Sequence, residues 1–142
     1  MKKYIITFHW ATNYGAVLQA YALQNFLQET GDEVAIIDYT PDNLKKTFLR
    51  AVLTKPTKYA KNFAELKKER KISKFRKKYF KLTKLYKSNA ELKAEKWDHA
   101  TFICGSDQIW NPYFTLYGEG QKTLSYFLDF VSCRQEIAEL YN

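Results

Sequence analysis

The chain has 142 residues, 46% hydrophobic and 17% aromatic, which supplies one packed core and is too short for two full domains. That composition excludes a disordered chain, and no apolar run approaches the roughly 20 residues that cross a bilayer. The net charge of +8 is gathered in one place: residues 55–87 carry 14 Lys or Arg against Glu65 and Glu69, so the remainder of the chain is net acidic.

Lys2–Phe8 reads as a first strand. Tyr4, Ile5, Ile6 and Phe8 form a run too continuous for a half-exposed edge, and such runs suit parallel strands buried on both faces. Met1-Lys2-Lys3 opens like a secretory signal, but the apolar part ends at His9 and Asn13 with no small-residue cleavage site, so a core strand is expected. From Tyr14 to Thr30 the period changes. Ala16, Ala20, Leu23 and Leu27 share one helical face, flanked by Val17, Tyr21 and Phe26, with Asn13 as N-cap and Gly31 as the stop. Glu33–Tyr39 follows as a second strand closed by Thr40-Pro41, which completes a right-handed βαβ unit.

Residues 42–97 read as helical and charged, broken near Pro56, with a basic helical excursion over 55–97. Phe63, Leu66, Ile72, Phe75, Tyr79 and Leu82 give it a narrow apolar stripe at helical spacing. His99–Cys104 is a further buried-strand pattern, with 100–104 as its core, and it ends in Gly105-Ser106-Asp107-Gln108. Leu124–Phe130 is aromatic enough for another strand or a tight core segment. Cys104 and Cys133 lack metal-ligand spacing and are too few for a disulfide framework, which points to a reduced, cytoplasmic protein. His9 and His99 make no metal constellation with them and read as ordinary strand-end or surface histidines.

Ligands of open α/β sheets bind beyond the carboxyl ends of the strands. Two polar clusters fall there: His9–Gly15 after the first strand and Gly105–Gln108 after the later one. The first offers backbone N–H groups at a helix start, a seat for an anion or a polarised hydroxyl. The second sets one carboxylate beside a hydroxyl and an amide, which can orient a sugar and accept its proton. The same residues also fit plainer roles, with Asn13 and Gly15 as a cap and tight turn and Asp107 as a cap. A lone Gly15 excludes the dinucleotide and P-loop phosphate fingerprints.

Four blocks carry a resemblance: "NYGAVLQAYALQ" (13–24), "IIDY" (36–39), "FICGSDQIWNP" (102–112) and "YFLDFV" (126–131). In order, wording and spacing they resemble the amino-terminal half of the polysaccharide pyruvyl transferase family, over residues 3–131. The resemblance implies a glycosyltransferase-B-like architecture, with two Rossmann-like domains facing a cleft. It implies transfer of the enolpyruvyl unit of phosphoenolpyruvate to two hydroxyls of a sugar or lipid-linked glycan acceptor, which forms a pyruvate ketal and releases phosphate. No cofactor and no metal are implied. Asp107 matches the family's acidic position and is assigned to the acceptor as base or orienter. Asn13, Tyr14, Gly15, Ser106 and Gln108 are assigned to substrate binding.

The match fades after Val131, where Ser132–Asn142 departs from the family's usual continuation. Residues 1–142 are therefore expected to be an acceptor-side domain without its donor-binding partner, inactive alone, as a truncation or frameshift would leave it. The basic residues are expected away from the strand ends, and an apolar face around Trp10, Tyr14 and Trp110 is expected to be exposed and prone to self-association. The basic segment is expected to pack on the domain as a solvated face. Association with an anionic membrane surface is the next reading, and nucleic-acid binding is disfavoured because the apolar residues recur at helical spacing. A non-catalytic basic module for nucleic acid or anionic glycolipid surfaces is the alternative to the transferase reading.

Overall fold

In a computed structural model the described residues are 1–11, 13–40, 59–105, 107–111 and 124–131, with backbone alone for 59–65, 107 and 108. Four strands, β1 (Lys2–Ile6), β2 (Glu33–Tyr39), β3 (Leu82–Tyr86) and β4 (Ala100–Cys104), form one sheet in the order β3-β2-β1-β4. Every pairing is parallel, with Ile5 opposite Ile36 on one side and Ile103 on the other. This is the Rossmann-like α/β sheet that the continuous apolar strands predict.

Successive strand residues serve opposite layers. Ile5, Val34 and Ile36 pack under α1 (Tyr14–Glu29) and α2 (Tyr59–Tyr79) with Val17, Ala20, Leu27 and Ile72. Ile6, Ile37 and Tyr39 face the other way, against Leu92 of the short helix α3 (Asn89–Lys93), Ile109, Tyr126 and Phe130. Ile5, Ile6, Ile36 and Ile37 are fully buried, and each contributes about 1.5–3 kcal/mol of transfer free energy. Helix α1 starts where Asn13 Oδ1 accepts the Gly15 N–H at 2.8 Å, and it stops at Thr30 followed by Gly31 in the left-handed region (φ +82°). Its buried face is turned slightly from the expected one: Val17 and Gln24 are buried, whereas Ala16 and Leu23 are half-buried.

The helical reading of 55–97 needs correction. The helix ends at Tyr79, and 82–86 is a strand followed by α3. Neither Gly nor Pro marks the stop in the sequence, and Leu82 continues the helical spacing, so periodicity ran straight through the boundary. A tertiary contact sets it instead. Buried Gln24 donates from Nε2 to the Tyr79 carbonyl (3.0 Å) and accepts the Lys81 N–H on Oε1 (2.8 Å), capturing backbone groups released where the helix stops. The Ile36 N–H then reaches the Lys81 carbonyl at 2.7 Å and starts the β2–β3 ladder. A register shift follows, where Asp38 N–H donates to the Thr83 hydroxyl at 3.0 Å. Of the two readings of 124–130 the core segment holds: Ser125–Phe127 is a 3₁₀ turn and Tyr126 is buried in the lower layer. Phe63's side chain, Pro56, Cys133 and residues 132–142 lie outside the described parts.

Two outcomes follow for stability. Gln24→Leu leaves the Tyr79 carbonyl and the Lys81 N–H without their partner at a part-buried junction, so urea denaturation should show a loss of about 1–3 kcal/mol. An unchanged midpoint would contradict the junction. Tyr86 donates its hydroxyl to Glu95 Oε2 at 2.9 Å, and burial first, then Glu95, pushes its phenol above the ordinary value of 10.0. A raised phenol is held protonated by the fold. Its contribution is therefore complete below about pH 10 and is lost as pH rises beyond it. Denaturation midpoints should fall above about pH 10 in the wild type and fall less steeply in Tyr86→Phe.

Candidate functional site

The strand order reverses at β1: β2 lies on one side of it, and β4, reached through β3 and α3, lies on the other. Crevices beyond the carboxyl ends at such a switch are where open α/β sheets bind ligands. Ile6 is in register with Cys104, and the Gly105 N–H continues the ladder to the Ile6 carbonyl at 3.0 Å. The loop after β1 and the loop after β4 therefore leave the sheet side by side. A Cβ on Gly105 would meet Ile5 Cγ2 at 3.2 Å, Leu23 Cδ2 at 3.3 Å and Thr7 Cβ at 3.3 Å, so any larger residue would have to push these neighbours back where β4 exits beside α1.

Asn13, Tyr14 and Gly15 all stand exposed at the start of α1. The first turn of α1 presents backbone N–H groups toward this rim, of which Gly15's is taken by Asn13. Residues Asp107–Trp110 form a 3₁₀ turn whose Ile109 is fully buried, which anchors the backbone that carries Asp107 and Gln108. Ser106 lies outside the described residues, as do the side chains of Asp107 and Gln108. Trp110 is 62% exposed and Tyr14 51%, as expected, but Trp10 is half-buried and donates from Nε1 to the Tyr126 hydroxyl at 3.2 Å. Beside Gly105 and Trp110 a groove of ≈ 640 Å³ runs between α1 and β4, lined mainly by Leu23, Phe26 and Ile103. It is apolar and meets the polar cluster only at Gly105 and Trp110.

The loop after β1 is held by side chains that sequence reasoning passed over. His9 is no surface histidine: it is 3% exposed, with Nε2 3.0 Å from Asp38 Oδ1 and Nδ1 3.4 Å from the Thr7 carbonyl. Thr40 Oγ1 also approaches Asp38 Oδ1, at 3.4 Å. Arg76 of α2 donates from Nη1 to the His9 carbonyl at 3.1 Å and binds Glu69 through Nη2. Lys68 Nζ lies 5.5 Å from the centre of the Tyr14 ring. These two contacts correct the expectation that the basic segment keeps away from the strand ends, because α2 runs beside α1 and brings two of its cations to the rim. One signal was available: Asp38 is a lone carboxylate inside the apolar run Ala35–Tyr39, and such a residue needs a partner.

Half-buried Cys104 sets its thiol 3.7 Å from the Tyr126 carbonyl, and burial pushes that thiol upward, away from the reactive thiolate. Among the described residues no group of three or more His, Cys, Asp or Glu side chains is placed to hold a metal ion, and no helix is long and apolar enough to cross a membrane.

The family model described as polysaccharide pyruvyl transferase matches residues 13–135, a span that contains the α1 start, β4 and the 3₁₀ turn. No curated protein and no solved structure matches the chain.

Removing the partner of His9 tests the loop. Asp38→Ala should cost about 1–3 kcal/mol by leaving a buried imidazole short of an acceptor. It should also speed hydrogen exchange at the Ala11 N–H, which bonds the Phe8 carbonyl at 3.0 Å. Asp38→Asn, which keeps an acceptor oxygen, should do less of both.

Proposed function

The chain belongs to the polysaccharide pyruvyl transferase family, and on that premise we propose that it supplies the acceptor side of pyruvyl transfer from phosphoenolpyruvate to a polysaccharide sugar. One observation carries the reading: the two family-matched loops leave adjacent strands at the switch point, joined by the Gly105–Ile6 hydrogen bond of 3.0 Å. The acceptor sugar would sit between the Asn13–Gly15 start of α1 and the start of the Asp107–Trp110 turn. Asp107 would take a proton from the attacking hydroxyl, or orient it, while Ser106, Gln108 and Asn13 hold neighbouring hydroxyls. The N–H groups of the α1 start and the Tyr14 ring would form the floor beneath the sugar.

Two sugar oxygens end on the carbon that carried phosphate, the enol methylene gains a proton, and phosphate leaves. Phosphoenolpyruvate brings about three negative charges, and its transition state needs several cations converging in a closed space. Here Arg76 is already engaged by Glu69 and the His9 carbonyl, and Lys68 lies over Tyr14. We therefore assign donor binding and acid catalysis to a second Rossmann-like domain facing this rim, in a glycosyltransferase-B-like pairing.

A panel of neutral hexoses titrated into the ¹⁵N-labelled 142-residue chain tests the acceptor side. Amide shifts should concentrate at Asn13–Ala16 and Gly105–Trp110, with Asp107→Ala weakening binding about tenfold. Shifts confined to other surfaces would refute the site. The same chain with phosphoenolpyruvate and a glycan acceptor should release no phosphate above background. Release that Asp107→Ala abolishes would overturn the assignment of the donor side to another domain.

A further inference from the structure

The acceptor site leaves most of the basic segment unused. Helix α2 turns Ile72 and Phe75 toward α1, where the Phe75 ring meets Tyr21 at 5.3 Å. On its outer side Lys67, Lys71, Lys74 and Lys78 recur at i, i+4, i+7 and i+11, all exposed, with exposed Arg70 and Lys77 beside them. The chain then turns into β3, an edge strand of the sheet, where Lys81 and Lys87 at its two ends are exposed too, while Lys84 is paired with Glu95.

Apolar side chains interrupt this charge. Leu66, Tyr79, Leu82 and Leu85 are 38–40% exposed. Leu82 pairs with Ile36 and, after the register shift, Leu85 pairs with Asp38, so both leucines lie on the sheet face that α2 covers. Cations and partly exposed leucines thus share one flank made of α2 and the β3 edge.

We propose that this flank docks the protein on an anionic lipid bilayer, with the lysines among the headgroups and Leu66, Tyr79, Leu82 and Leu85 at the headgroup–acyl boundary. Basic surfaces of this kind accumulate at negatively charged leaflets, and apolar side chains between the cations add the part of binding that salt does not screen. Nucleic acid fits the flank less well. Phosphate-backbone and base-edge recognition favours the planar fork of Arg, yet the exposed cations here are Lys except Arg70, and Arg76 is directed inward to Glu69 and the His9 carbonyl. Leucines, moreover, have nothing to gain against a solvated phosphate backbone. Lys68 over Tyr14 makes the flank continuous with the strand-end rim, so docking brings that rim within about one helix diameter, roughly 10 Å, of the lipid surface. The proposal stands on charge and exposure and is independent of the acceptor reading.

Vesicle flotation of the 142-residue chain tests it, with phosphatidylcholine alone and with about one third phosphatidylglycerol, at roughly 50 and 200 mM salt. Binding should appear only with the anionic lipid and weaken, without vanishing, at the higher salt. K71Q/K74Q/K78Q keeps helix-forming side chains and should lower affinity at least tenfold at low salt, since each lysine near the surface is worth about fivefold. Leu82→Ser with Leu85→Ser should remove the salt-resistant remainder while leaving the low-salt component. Circular dichroism melts of all variants confirm that they are folded. Equal binding to neutral vesicles, no binding to either, insensitivity to the triple substitution, or tighter binding to a DNA or RNA oligonucleotide than to anionic vesicles would each overturn the proposal.

Discussion

The parallel pairing of β1 with β4 is the constraint on which the rest of the molecule depends. Five residue pairs, from Lys2–Ala100 to Ile6–Cys104, fix where the chain leaves the sheet a second time. Because β1 is already paired with β2 on its other side, its carboxyl end becomes the point where two βαβ directions diverge. Gly105 then passes between Ile5, Thr7 and Leu23 at distances that a side chain would obstruct. Slip the register by one residue and Ile103 and Cys104 exchange faces, the Gly105 N–H loses the Ile6 carbonyl, and the two loops no longer share a rim. The candidate site is therefore a consequence of sheet register before it is a matter of which polar side chains stand there.

Much of this register is legible in the sequence because parallel strands announce themselves as unbroken apolar runs. Ile5-Ile6, Ile36-Ile37 and Phe102-Ile103 each send one residue to either layer, and no other arrangement buries both faces. The start and stop of α1 were equally readable, since Asn13 and Gly31 act through local geometry that needs no distant partner. The end of α2 was not readable. It depends on Gln24, 55 residues from Tyr79 in the chain, and a buried glutamine on an otherwise apolar helix face looks like a surface residue in a one-dimensional pattern. β3 was hidden for a related reason: an edge strand with three exposed residues carries little of the apolar continuity that marks its neighbours. On the site side, the two loops could be located from the strand ends, but the buried His9 that holds one of them could not. Its partners come from β2 and α2, which nothing local connects to residue 9.

That triad of elements explains how a strongly basic helix is tolerated against a sheet of ordinary composition. Arg76 is spent on Glu69 and the His9 carbonyl, Lys3 on Asp32, Lys84 on Glu95 and Lys93 on Asp129, so these four carboxylates are matched by cations at defined places. The Lys3 contact, with Thr30 behind it, holds the Asp32 carboxyl well below the usual carboxylate range, and the Lys84 contact lowers Glu95. The Lys84–Glu95 and Lys93–Asp129 pairs, whose lysines are exposed, stabilise little individually. Their effect is on distribution: once they are made, exposed lysines still crowd the outer face of α2 and the two ends of β3.

A helix this basic repels itself, because lysines at i, i+4 and i+7 face each other across each turn and each such pair is unfavourable by a few tenths of a kcal/mol. Isolated, it would be a poor helix. It is held by Ile72 and Phe75 against α1, by the Tyr21 ring packed edge to face on Phe75 and Tyr79 within 5.6 Å, and by the Gln24 clamp at its last turn. The fold therefore maintains the charged stripe at a cost that packing offsets, and packing alone would be served equally well by a mixed-charge outer face. The same helix is what supplies Arg76 to the loop after β1. Changes that loosen α2, whether by charge or by loss of the clamp, thus reach the strand-end rim through the Arg76 guanidinium and the Lys68–Tyr14 contact, which couple the outer basic flank to the geometry of the site.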